Sequence, residues 1–212
     1  MNFTPELSFA GGRVRPLSYD DVDALFEIYQ HPEIPGQRVL DNKDSLTRMV
    51  DLSVQMAATQ RGMMWLLEVG SADKYEVQGM VSAYDWQPSQ LRTMLRVDGL
   101  PQLSAEHREA ALTACLNFMA EKYHLRNFAY QWIAGQDEAL KTLLENAGFT
   151  ACATLRDAWR TGEKSFADIV QFHRLLDAAK PVPGRLGEQD NPAQNLDKSF
   201  SGSADKNSGG KA

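Results

Sequence analysis

The chain has 212 residues, of which 43% are hydrophobic and 24% charged, the make-up of one soluble globular domain long enough to bury a core. Its net charge of −6 argues against sequence-independent nucleic-acid binding, which needs clustered Lys and Arg. Residues 1–6 carry no basic region leading into an apolar run, and the most apolar window, 63–67, is far shorter than the roughly 20 residues of a membrane span. A cytoplasmic protein with neither membrane nor nucleic acid as partner is therefore expected.

In chain order, residues 1–12 read as a loose lead-in, and the folded domain is expected over 13–177. A short strand at 13–17 ends at Pro16, which cannot donate to a ladder. Ser18, with Asp21 three residues on, starts a helix whose apolar face is Val22, Leu25, Phe26 and Tyr29. His31-Pro32-Glu33-Ile34-Pro35-Gly36 stops it, and a second helix is expected over 43–60, with Leu46, Met49, Val50 and Val54 inward. Three strands follow at 63–69, 75–86 and 91–97, with Val77, Gly79, Val81 and Ala83 on one face of the middle one. Their short links imply antiparallel hairpins. The third runs through Asp98-Gly99-Leu100-Pro101 into a helix striped by Leu112, Cys115, Leu116 and Met119. A strand turning sharply into a helix leaves free N–H groups and a positive dipole end, which suits a phosphate.

An aromatic strand at 127–133 comes next, then a helix at 136–147 stopped by Gly148, and two final strands at 149–160 and 165–176. Cys115 and Cys152 make neither a disulfide framework nor a metal-ligand spacing; both are expected in the core, reduced, and no metal is expected. The Pro-, Gly- and Ser-rich segment 178–212 lacks the apolar content to fold and is expected to be disordered.

Three stretches carry a resemblance to a known family. They are Val14-Arg15-Pro16-Leu17 with Asp21, Leu25, Phe26 and His31-Pro32-Glu33-Ile34; then Leu143-Leu144-Glu145-Asn146-Ala147-Gly148-Phe149; then Leu155-Arg156-Asp157-Ala158-Trp159 with Gly162 and Asp168. In this order they resemble the GNAT N-acetyltransferase superfamily, in the branch that acetylates ribosomal-protein N-termini. The resemblance implies an α+β fold with a mixed, mostly antiparallel sheet flanked by helices. It also implies acetyl-CoA as co-substrate, a primary amine of a small molecule or a protein N-terminus as acceptor, and a possible homodimer. In the family the strands matching 91–97 and 127–133 splay apart around the acyl and pantetheine arm. By that likeness the backbone of Met94, Leu95, Arg96 and Val97 would hold the thioester carbonyl.

Two departures are plain. No glycine lies between Gly99 and Gly135, so the family's pyrophosphate turn, Arg/Gln-x-x-Gly-x-Gly/Ala, is matched only by Gln102, Ala105 and His107 or, one residue on, by Leu103, Glu106 and Arg108. Glu106 and Glu109 would repel a pyrophosphate there, and Ser104, His107 and Arg108 would compensate in part. Asp137 stands where the family's Asn contacts the cofactor arm, and Leu140 where a Ser or Tyr protonates the leaving thiolate. The remaining candidates are Glu68 and Asp85 as general base, each also readable as a solvent-facing carboxylate, and Tyr84 and Tyr130 as acid, Tyr130 being also readable as core because it stands at period two with Phe128 and Trp132. Arg92 and Arg96 share a strand face and either recognise an acidic group or pair with neighbouring carboxylates, and Asp168 and Arg156 are expected to pair across the last hairpin. Two functions stay open: an N-acyltransferase, or a catalytically inactive relative that binds a ligand or partner.

Overall fold

The computed structural model describes residues 3–31, 40–71 and 74–176; the expected disordered segment 178–212 and the helix stop at 32–36 lie outside the described residues. Eight strands make one sheet in the order β1-β2-β3-β4-β5-β6-β8-β7. They are β1 (Leu7–Phe9), β2 (Gly12–Pro16), β3 (Met63–Ser71), β4 (Lys74–Gln87), β5 (Arg92–Gly99), β6 (Asn127–Ile133), β7 (Thr150–Arg160) and β8 (Phe166–Leu175). Helices α1 (Val22–Ile28) and α2 (Asp44–Ala58) follow β2; α3 (Ala105–Tyr123) joins β5 to β6, and α4 (Glu138–Asn146) joins β6 to β7. Among the described residues only β5 and β6 pair in parallel, because α3 carries the chain back across the sheet before β6 begins.

Alternation along the strands divides the core by face. Val14, Trp65, Leu67, Val81, Leu95 and Val97 pack with α3 residues Leu112, Cys115, Leu116 and Met119 and α4 residues Leu143 and Leu144. Leu66 and Met80 point the other way and pack with Leu25 and Ile28 of α1 and Leu46 and Val50 of α2. The C-terminus of α4 follows the expected pattern: Gly148 has φ +79° and its N–H bonds the Glu145 carbonyl.

Several expectations are corrected. The lead-in is not loose: β1 pairs with β2, and the Trp65 indole N–H donates to the Pro5 carbonyl at 3.0 Å. Three residues are too few for a periodicity signal, and their reward comes only from the partner strand. Val77 does not share a face with Val81, because Leu67 pairs with Gly79 but Glu68 with Val77, and the skipped Gln78 makes a bulge that turns Val77 toward α1 and α2. In α2 the inward set is Leu46, Val50, Ser53 and Ala57, which leaves Val54 55% exposed. Cys115 is buried as expected, but Cys152 lies exposed on β7, an edge strand that neither helical layer covers. Asp168 pairs not with Arg156 but with the backbone N–H of Asp157, a residue at φ +50° within a register shift of β7.

Glu68 ties β2, β3 and the entry to α1 together. Only 5% exposed, it accepts from Arg13 Nε at 2.6 Å and Arg15 Nε at 2.8 Å. Arg15 then grips both oxygens of Asp21 at 2.7 and 2.8 Å. Asp21 also accepts from the Ser18 N–H and hydroxyl, the expected capping box, although the first turn is a short 3-10 helix (Tyr19–Asp21). Burial disfavours ionised Asp21, but Arg15 and Ser18 outweigh it and hold its carboxyl below the usual range. Glu68→Gln, leaving two half-buried guanidinium groups without their carboxylate, is expected to lower unfolding stability by about 2–4 kcal/mol in urea titration. Because the folded-state value of Asp21 is depressed, its contribution is full above about pH 4 and lost as pH falls through the folded value. Asp21→Asn is therefore expected to flatten the acid limb of a stability–pH curve.

Candidate active site

The parallel pairing of β5 with β6 begins at Arg92 and Asn127 and ends at Leu95 and Tyr130. Both strands run on, to Gly99 and Ile133, but apart. A cavity of about 50 Å³ opens in the gap, room for a small group of two or three heavy atoms beside solvent. Leu95, Val97, Tyr130, Trp132, Arg108, Asp137 and Leu140 line it from the α3 and α4 side. Tyr84, Arg96, Asp98, Gln131, Ile133, Trp159 and Ile169 line it from the opposite side. The parting of the two strands thus leaves a gap lined by residues from both faces of the sheet.

Tyr130 stands at its apex. The Val97 N–H donates to its hydroxyl at 3.1 Å, replacing the ladder bond that the separated strands have lost. Burial pushes the Tyr130 pKa up to about 12, against a lowering by the Val97 N–H, so its hydroxyl keeps its proton at neutral pH. At the α3 end, Ser104 caps the helix, its hydroxyl accepting from the His107 N–H at 3.2 Å and contacting His107 Nδ1 at 3.0 Å. The His107 ring meets Phe9 and lies against Gly11, where a Cβ would come within 2.6 Å of Nε2. The turn before α3 is seated by Leu103, which is buried against two strand glycines; a Cβ on Gly99 would stand 2.4 Å from its Cδ2, and one on Gly79 3.1 Å away. The glycines here lie beneath the turn and not within it.

Arg108, in the first turns of α3, reaches Asp137 at the N-cap of α4, 3.4 Å away. Asp137 also accepts from the Leu140 N–H at 2.8 Å, and its carbonyl from the Trp132 indole at 2.7 Å. Among the described residues Arg108 Nε is buried with no acceptor. A guanidinium N–H so placed at a helix N-terminus is matched to an anionic or carbonyl oxygen.

Among the residues expected from sequence, Tyr84, Leu95, Arg96, Val97, Arg108, Tyr130 and Asp137 converge on the cavity. Met94 does not line it; Gln102, Ser104 and Ala105 lie exposed at the α3 entrance with half-buried His107 beside them. Glu68 is neither in the cavity nor solvent-facing, since its carboxylate is spent on Arg13 and Arg15. Asp85 sits exposed outside the cavity, at φ +47°, held by Gln87 at 3.1 Å and Arg92 at 3.3 Å. Both arginines of β5 pair with carboxylates, Arg92 with Asp85 and Arg96 with Asp98.

Sequence reading missed Asp98 and Tyr29 as parts of the site, whereas the tryptophans read from sequence as core and pocket lining include Trp132 and Trp159, which line the cavity. Asp98, two residues after Arg96, falls on the same strand face, which was a usable signal. Tyr29 follows the end of α1, where burial pushes its phenol well up and the charge of nearby Asp98 adds to the rise. Only helix packing brings that pair together.

The sequence matches no protein-family model and no curated relative. Solved structures match with TM-scores above 0.6. RimL, a ribosomal L7/L12 alpha-N-protein acetyltransferase in complex with coenzyme A, aligns at TM-score 0.67 and 14% identity over 79% of this chain and 96% of its own. A spermidine N-acetyltransferase SpeG chimera from Vibrio cholerae and hSSAT aligns at 0.68 and 12%, over 78% and 95%. The microcin C7 self-immunity acetyltransferase MccE, in complex with acetyl-CoA and AMP, aligns at 0.67 and 9%, over 78% and 93%. Together with the strand order and the parting of β5 from β6, these likenesses establish that the chain has the GNAT, or acyl-CoA N-acyltransferase, fold.

Proposed function

We propose that the protein is an N-acyltransferase that moves a short acyl group from an acyl-CoA to a primary amine. The observation that carries this reading is the buried Nε of Arg108, without an acceptor among the described residues, on a side chain at the start of α3 that lines the gap between β5 and β6. An acyl-CoA suits that donor. Arg108 and the N-terminal turn of α3 would hold its anionic part, with Ser104 and His107 beside them, and Asp137 would release Arg108 to do so. The group would supply a thioester-activated acyl carbon. The cavity volume favours an acetyl-sized group, with Trp132, Leu140 and Ile133 setting the limit.

Tyr130 takes the part of proton donor that Leu140 lacks the chemistry for. Its hydroxyl holds its proton at neutral pH and lies at the apex, fixed by the Val97 N–H. The second reading, a binding module that has given up catalysis, is favoured by a different observation. The Val97 N–H, the donor expected for a thioester carbonyl, is already taken by Tyr130. Acyl-CoA binding without transfer would identify it.

Calorimetry with acetyl-CoA, coenzyme A and longer acyl-CoAs, followed by thiol release in the presence of amines, separates the readings. Binding with amine-dependent thiol release is expected, strongest for acetyl-CoA; no binding at millimolar ligand overturns both the transferase and a CoA-sensing module. Arg108→Ala is expected to weaken acetyl-CoA binding about 10- to 100-fold, the loss of a charge-assisted bond. Tyr130→Phe is expected to lower kcat by about 100-fold or more while leaving the dissociation constant of acetyl-CoA within a few-fold of its original value.

A further inference from the structure

A cavity of about 280 Å³ lies where the segment before β1, the end of β2 and α2 meet. Phe3 and Thr4 line it from the first, Pro16 and Leu17 from the second, and Ser53, Val54 and Ala57 from the third. It shares no residue with the gap between β5 and β6. Contacts outside the cavity fix each wall. The Trp65 indole holds the Pro5 carbonyl, next to Thr4, at 3.0 Å, and Trp65 also pairs in register with Pro16. One buried side chain of β3 thus pins two walls. The third is seated by Leu46 and Val50 of α2, which pack with Leu66 and Met80 of the sheet. Walls anchored separately do not relax together to close the space between them.

The chemistry of the lining defines what fits. None of these side chains is charged, so an ion entering here would leave water without a partner. The polar groups are the hydroxyls of Thr4 and Ser53, both on residues more than nine-tenths buried. Ser53 Oγ donates its proton to the Val50 carbonyl at 2.7 Å, which leaves lone pairs able to accept. Phe3 and Val54, large apolar side chains, are left 40% and 55% exposed beside it. We propose that this cavity binds a small neutral aromatic molecule of roughly ten to fourteen heavy atoms, with one O–H or N–H that donates to Ser53 Oγ. Its body lies between Phe3, Pro16 and Val54 and covers the apolar surface that the fold leaves open there. Ser53 belongs to the inward face of α2, which a recessed small molecule reaches and a flat protein surface does not. The site is also separate from the chemistry. Pro16 stands in one row with Trp65, Val81 and Val97, so three strand spacings, about 14 Å, divide it from β5.

The probe is 2-naphthol, neutral at physiological pH and fluorescent. Fluorescence titration of the full chain is expected to show one site with a dissociation constant below about 1 mM. Naphthalene, lacking the donor, is expected to bind about 5- to 10-fold more weakly, and charged 2-naphthoate not to bind over the same range. Ser53→Ala is expected to weaken 2-naphthol about 5- to 10-fold while leaving naphthalene within about twofold, a split that a mere loosening of α2 does not produce. Val54→Trp, at a half-exposed position that tolerates size, fills the cavity and is expected to remove binding of both probes. Saturating acetyl-CoA is expected to leave 2-naphthol affinity unchanged. The proposal is overturned by absence of saturable 2-naphthol binding, by 2-naphthoate binding equally well, or by Ser53→Ala affecting both probes alike. Undiminished binding in Val54→Trp overturns it too, as does displacement of 2-naphthol by acetyl-CoA, which assigns the probe to the gap between β5 and β6.

Discussion

Two neighbouring strands that part after four paired residues govern this molecule. Beyond Leu95 and Tyr130 the backbones of β5 and β6 no longer satisfy each other, and each orphaned polar group in a buried sheet costs free energy unless something replaces the ladder. The Tyr130 hydroxyl supplies one replacement, at Val97. The Arg108–Asp137 pair spans α3 and α4 on one side of the gap, and the Arg96–Asp98 pair holds the other. Polar side chains gather here because the parting creates both room and unmet hydrogen bonds.

The surrounding structure holds the gap open. On the α3 side, Leu103 settles on Gly79 and Gly99 and fixes where α3 begins, while the β1–β2 hairpin presses Phe9 and Gly11 against His107. On the α1 side, the Arg13–Glu68–Arg15–Asp21 chain of ion pairs anchors the start of α1, which delivers Tyr29 to Asp98. The carboxylate of Glu68 therefore acts on the site through the placing of a helix and not by contact with it.

The turn into α3 departs from the family pattern in a physically coherent way. Glycines in such a turn let backbone approach a phosphate closely. In this chain the close approach is instead between Leu103 and the strands, and its glycines are in β4 and β5. What remains for an anion is the dipole end of α3 and the guanidinium of Arg108, a more side-chain-dependent arrangement.

The sequence by itself determined most of the elements, their order and the fold class. Periodicity marks each helix stripe and strand, since those signals depend on local spacing alone. It also carried Tyr84, Arg96, Val97, Arg108, Tyr130 and Asp137 as candidates. Tertiary structure decided the rest. The three-residue β1, the bulge at Gln78 and the exposure of Cys152 follow from partners distant in sequence. Glu68 and Asp98 are each a carboxylate on a strand, alike in local pattern. One became an anchor and the other part of the cavity, because the position of Arg13 and Arg15 across from Glu68, and of a parting strand beside Asp98, exists only once the sheet has formed.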